Sequence, residues 1–223
     1  MEAISQACSE YGFFQIVDHG VPHDLMSRAL HLSKTFFEYP DEEKLKSSPG
    51  SEAPLPAGYS KQPKHSLDKN EYLLLFPPKS SFNVYPQNPP EFKEVLEEIF
   101  SHEAGGLQVR KEGEWIPVMP AEGTIVVNVG DVIQVLSNNK FKSATHRVVR
   151  PEGRSRYSFA FFYNLQGDKW IEPLSQFTKE IGEPPKYRGF LFKEYQQMRM
   201  RNKSHPPSRP EDVIHITHYA IST

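Results

Sequence analysis

Apolar positions change their period along this chain. Near the front, Ile4, Ala7, Cys8 and Tyr11 recur at helical spacing and predict a helix over residues 2–10. It starts at Met1 with no capping residue, as though its front were shortened. "GFFQIVDHG" then reads as a strand closed by Gly20. Pro22 opens a second helix, with Leu25, Met26, Ala29, Leu30, Ser33, Phe36 and Phe37 on one face, and "YPDEEKLK" ends it. Residues 47–70, rich in Ser, Pro, Gly and Lys, read as a mobile loop or linker. "EYLLLF" is a short strand and "PPKSSFNVYPQNPP" an extended connection. From about Pro90 the helical period returns, with Phe92, Val95, Leu96, Ile99 and Phe100 on one face.

After residue 103 the period shortens. "GGLQVRK", "EWIPVM", "TIVVNVGDVIQVLS", "SATHRVVR" and "RYSFAFFYN" are apolar or alternating runs separated by turn residues, the pattern of an antiparallel barrel or sandwich. A further helix is predicted over roughly 187–201, carrying Phe190, Leu191, Tyr195 and Met198. "HPPSRPED" reads as a loop and "VIHITHYAI" as a strand. The expectation is a mainly β protein with flanking helices. It divides into an N-terminal helix and strand region (1–103), a β portion (104–170) and a C-terminal helix and tail (171–223).

Composition narrows the class. The 223 residues suffice for a sizeable core. A formal net charge of -2 argues against a general nucleic-acid or membrane-surface binder. Cys8 is the single cysteine, which excludes an internal disulfide or a cysteine-rich zinc site and suits a reducing compartment. No apolar run reaches membrane-spanning length and no signal pattern opens the chain, so a cytoplasmic protein is expected.

Three residues stand out chemically. His146 in "SATHRVV" offers an imidazole suited to iron, zinc, copper or nickel, although a lone histidine in an apolar strand also fits a core or edge position. In "RYSFAFF" the alternation puts Arg156, Ser158 and Ala160 on one strand face, with Phe159 and Phe161 on the other. A buried Arg156 requires an anion, and a guanidinium beside a hydroxyl makes a carboxylate clamp. The competing reading is a solvated face shared by Arg150, Arg154 and Arg156.

"VVNVGDVIQVLSNNKFKSATHRVV" followed by "RSRYSFAFFYN" resembles the C-terminal half of an iron(II)/2-oxoglutarate-dependent oxygenase, of the isopenicillin N synthase-like, plant-type branch. "ACSEYGFFQIVDHGVP" with "FFEYPDEEK" resembles that family's N-terminal region, and "GGLQVRKEGEWIPVMPAEGTIVVNVGD" its approach to the metal site. The resemblance implies a double-stranded β-helix (jelly-roll) core. It implies Fe(II) held by a His-x-Asp pair and a distal histidine, with 2-oxoglutarate as co-substrate and ascorbate as a candidate reductant. A small organic metabolite is then oxidised, most often by hydroxylation. By motif, His146 matches the distal iron ligand, and Arg156 and Ser158 match the 2-oxoglutarate clamp.

The His-x-Asp pair has no match. His19, His23, His31, His65, His102, His146, His205, His215 and His218 are followed two residues later by Val, Leu, Ser, Leu, Ala, Val, Pro, Thr and Ala. The helix "PEFKEVLEEIF" runs into "SHEAGGLQV" where the family places further elements and the metal-binding strand. The expectation is an internally shortened family member with an incomplete jelly roll, as an exon-skipped isoform or a faulty gene prediction gives. His102 and Glu103 at the junction are adjacent, so on a strand they point to opposite faces and make a poor replacement pair. Such a chain is expected to be weakly active or inactive. The alternatives are a non-catalytic remnant and a metal-free carboxylate-binding jelly roll. Strands deprived of neighbours also predict self-association through exposed edges.

Overall fold

In a computed structural model, residues 2–50, 57–62, 70–99, 108–119, 121, 123–149, 157–204, 207–209 and 212–221 are described. The front half follows its apolar pattern. Helix α1 spans Glu2–Glu10, strand β1 Phe13–Ile16 and helix α2 His23–Glu38. Leu25, Ala29, Ser33 and Phe36 form the buried stripe of α2, while Leu30 lies at the exposed margin. Pro40 holds Tyr39 in an extended conformation and ends α2. Asp41, Glu42 and Glu43 then favour the N-terminus of a short helix α3, Asp41–Leu45, where the sequence pattern shows only a helix end.

The predicted linker over 47–70 is in part structured. Strand β2, Gly58–Lys61, pairs antiparallel with β3, Glu71–Leu74. Tyr59 is buried against Phe36, with ring centroids 5.9 Å apart. One deeply buried aromatic outweighs the polar composition around it. Helix α4, Phe92–Ile99, buries Phe92, Val95, Leu96 and Ile99. Phe100 lies outside the described residues.

Strands β4, Gln108–Lys111, and β5, Glu114–Pro117, form a hairpin. Its two turn residues, Glu112 and Gly113, have φ of 52° and 90°, the left-handed pair that a tight hairpin with right-twisted strands demands. β4 also pairs with β7, His146–Arg147. β6, Ile125–Asn128, pairs with β1 across the whole sequence, Phe13 opposite Asn128 and Ile16 opposite Ile125. The β1–β6 sheet thus has two distinct faces. Ile16, Ile125 and Val127 pack on the core of α2 and α4, while Phe13, Gln15 and Val126 turn toward the β5–β4–β7 sheet.

Three expectations in the β region fail. "TIVVNVGDVIQVLS" is a strand only to Asn128; Asp131–Leu136 is helix α5, with Val135 fully buried. "SATHRVVR" contributes a strand of two residues. "RYSFAFFYN" forms no strand over its described part, although its alternation survives: Phe159 and Phe161 pack on the core while Ser158 and Ala160 are exposed. Strands β8, Trp170–Ile171, and β9, Phe190–Leu191, pair ahead of helix α6, Phe192–Ser204. The predicted terminal strand is instead a 3-10 turn, Ile216–Tyr219, with a bridge between Tyr187 and Ala220. Among the described residues the strands make four small sheets and no closed barrel, so the jelly-roll core is incomplete.

Candidate functional site

His146 sits on β7 opposite Val109 of β4. Its ring meets Phe13 edge-on, centroids 5.9 Å apart at 80°. It is therefore at the junction of the two facing sheets, and it is exposed rather than a core histidine. Nδ1 lies 3.1 Å from the carbonyl of Ala144 and 3.4 Å from the Asn128 amide nitrogen. With the proton on Nδ1 donated to Ala144, Nε2 keeps its lone pair for a metal or a proton, the arrangement common behind histidine ligands.

The segment carrying His146 is anchored by residues that the apolar pattern does not single out. Gln134 on α5 donates to the Tyr187 hydroxyl at 2.8 Å and accepts from the Ser143 backbone at 2.6 Å. The Lys142 backbone donates to the Cys8 carbonyl, and the Val129 backbone to the Gly12 carbonyl, both at 2.9 Å. Gly12 has φ of +71°, and a Cβ there would lie 2.2 Å from the Lys142 carbonyl oxygen. The one available signal is a set of polar residues, Gln134, Ser137 and Asn138, inside an apolar run.

Ser158 is exposed, and Arg156 lies outside the described residues. His102 and Glu103 also lie outside them. Among the described residues no three His, Cys, Asp or Glu side chains gather where a metal ion would sit. Among the described residues, the donors do not fit a three-ligand iron site.

Between the sheets, Phe13, Val109, Ile116, Val118 and Val126 line a groove of about 180 Å³. Tyr11 and Lys111 also line it, with the Lys111 ammonium 3.8 Å from the centre of the Tyr11 ring.

Comparison with known proteins agrees with this architecture. The 2OG-Fe(II) oxygenase superfamily matches residues 69–165, and the non-haem dioxygenase N-terminal region, described from morphine synthesis, matches 1–101. Jasmonate-induced oxygenase 1 of Arabidopsis thaliana is 30% identical, over 92% of this chain and 70% of that protein. A flavonol synthase/flavanone 3-hydroxylase of Matthiola incana is 26% identical, over 90% of this chain and 94% of that protein. A crystal structure of JOX2 in complex with 2OG, Fe and JA superposes with a TM-score of 0.79 at 26% identity, covering 100% of this chain and 86% of that one. The chain belongs to the 2-oxoglutarate/Fe(II)-dependent oxygenase superfamily. That family's cofactors are Fe(II) and 2-oxoglutarate, and its core is a jelly roll. The alignment to jasmonate-induced oxygenase 1 extends over 283 positions against 223 residues here, so at least 60 of them (283 less 223) have no residue in this chain.

Proposed function

We propose that this chain is an internally shortened 2-oxoglutarate/Fe(II) dioxygenase of the kind that oxidises small organic metabolites, and that it is weakly active or inactive as an oxygenase. One observation carries the reading: the 223 residues contain no His-x-Asp or His-x-Glu, which leaves His146 as the one residue matching an iron-ligand motif. The surplus of aligned positions in the relatives supports a missing internal segment. So does the passage from α4, ending at Ile99, to β4, starting at Gln108, with eight residues between them. One imidazole cannot hold Fe(II) against water, because the site depends on several donors acting together.

In this reading residues 1–103 are the family's N-terminal region, 104–170 the remaining jelly-roll part and 171–223 the closing helix and tail. Arg156 and Ser158 keep the capacity to clamp the distal carboxylate of 2-oxoglutarate. The protein is placed in the cytoplasm on its single cysteine. The substrate class is a small metabolite, since relatives carry names as varied as jasmonate-induced oxygenase, flavonol synthase and 1-aminocyclopropane-1-carboxylate oxidase.

Metal analysis of the desalted protein tests the claim. Iron well below one per chain, unchanged by His146→Ala, is expected. Near one iron per chain, lost in His146→Ala, would show a complete site and return attention to His102 and Glu103. The second reading, a metal-free carboxylate binder, expects weak 2-oxoglutarate binding that Arg156→Ala abolishes and Arg154→Ala does not.

A further inference from the structure

The outer face of the β5–β4–β7 sheet gathers two cations on one aromatic ring. Alternation along β4 turns Val109 toward the β1–β6 sheet and Arg110 the other way. Trp115 stands directly opposite Arg110 on β5, and Arg147 follows His146 on β7, so all three share the outer face. The contacts agree. The guanidinium carbon of Arg147 lies 4.2 Å from the centre of the Trp115 ring, and that of Arg110 lies 5.9 Å from it. The two guanidiniums are therefore at most 10.1 Å apart (5.9 plus 4.2). Both arginines are exposed, as is Pro117 on the same face, while Trp115 is half-buried.

The chemistry of this cluster points to a dianion. Stacking occupies the flat face of a guanidinium, whereas its five N–H donors lie in its plane and are aimed past the ring. The indole restricts both side chains in advance, which lowers the ordering cost of a ligand. Two like charges drawn to one ring repel each other, and a dianion between them removes that repulsion. A carboxylate brings a single charge. A phosphate monoester brings about −1.5 to −2 charges at neutral pH on three acceptor oxygens, which matches two guanidinium forks.

We propose that Arg110 and Arg147, held by Trp115, bind the phosphate of a small phosphate monoester, with its organic group against Trp115 and Pro117. This site lies on the opposite side of the sheet from His146 and uses neither iron nor the Arg156–Ser158 pair, so it does not rest on the oxygenase reading.

The test uses the full chain, treated with chelator, and titrates phenyl phosphate against benzoate by ligand-observed NMR at constant ionic strength. At pH 7.5 phenyl phosphate is expected to bind about fivefold or more tightly than benzoate, since both guanidiniums engage it. Its affinity should fall about fourfold by pH 5.5, because the ester takes its second proton near pH 6. Arg110→Gln and Arg147→Gln each weaken it by about fivefold or more. Arg110→Lys and Arg147→Lys keep the charge but lose the planar fork, and each still weakens it about threefold should the glutamine variants fold poorly. Arg188→Gln, at an exposed arginine on the Tyr219 ring, leaves the affinity unchanged. No binding, equal binding of the two ligands, an affinity indifferent to pH, or equal losses in the Arg188 variant overturns the proposal. Binding lost in Arg156→Ala but kept in the Arg110 and Arg147 variants also overturns it, because the anion would then sit on Arg156. A phosphoserine peptide that binds about tenfold more tightly than phenyl phosphate would make the occupant a protein and overturn the small-ligand assignment.

Discussion

At the scale of single residues, Gly12 and Lys44 show how local chemistry fixes distant parts of the chain. Gly12 joins α1 to β1 in the left-handed region and lies against the Lys142 carbonyl, on the segment that leads to His146. Gly12→Ala adds both a strained backbone and a clash with backbone atoms, so a loss on the order of 1–3 kcal/mol is expected. The urea midpoint should fall with the slope unchanged. Lys44 is nearly buried and reaches Glu71 on β3 at 2.7 Å and Asp41 at 3.2 Å. Burial alone would lower the Lys44 pKa, but the two carboxylates outweigh it and hold it above its ordinary value. For Glu71 burial raises the pKa, and hydrogen bonds from Lys44 and Lys61 more than reverse this, so its carboxyl titrates below the ordinary 4.5. A depressed carboxylate stabilises the fold above its unfolded pKa, and that share is lost as pH falls through the folded value. Glu71→Gln is expected to cost on the order of 1–3 kcal/mol at neutral pH. It should also flatten the fall in Tm below about pH 4.5. An acid limb identical to wild type would place the acid sensitivity elsewhere.

At the scale of elements, legibility followed side-chain bulk. α2 and α4 are plain in the sequence because large apolar residues recur every three or four positions and each finds a buried place. α5 is not, because Val132, Ile133, Val135 and Leu136 read equally well as a strand. The helix wins through an extended Gly130 at its entry, Asp131 in its first turn and Val135 at zero exposure. β2 was hidden by its polar neighbours, and "RYSFAFFYN" kept its alternation without forming a strand, since period alone cannot supply a hydrogen-bonding neighbour. The motif singles out His146, which the structure places where the two sheets meet, whereas nothing in the sequence marks the groove beside Lys111. That groove exists because β1 and β4, far apart in sequence, come to face each other.

Asn138 carries the next prediction at this scale. It is buried just beyond α5, donates to the Phe177 and Pro184 carbonyls at 3.1 and 3.0 Å, and accepts from the Lys186 backbone at 2.7 Å. One side chain therefore fastens the C-terminal segment to the α5 corner. Asn138→Ala leaves three part-buried backbone groups without this partner, a loss of roughly 1–3 kcal/mol. Limited proteolysis should then cut within residues 177–186 faster than in wild type, with fragment masses identifying the site. Unchanged cleavage there would show that the apolar cluster of Ile171, Tyr187 and Phe190 holds the segment by itself.

For the whole molecule, the decisive feature is a sandwich short of strands. The described strands form three two-stranded sheets and one three-stranded sheet. A two-stranded ladder is marginal in water unless packing or another strand supports it. β1–β6 receives packing on one face from α2 and α4, but among the described residues each strand has a neighbour on one edge only. The β6 edge is Ile125–Val126–Val127–Asn128, β-branched and uncharged, the composition that templates pairing with another chain. Apolar surface lies exposed as well: Phe162 is 80% and Tyr163 100% accessible. Large exposed aromatics add to the tendency of an open strand edge to associate. The chain is therefore expected to elute from size exclusion as a dimer or larger species, and Val126→Lys on the β6 strand should shift it toward monomer without loss of helical signal. A concentration-independent monomer with one sharp unfolding transition would mean that α2 and α4 support the ladder unaided.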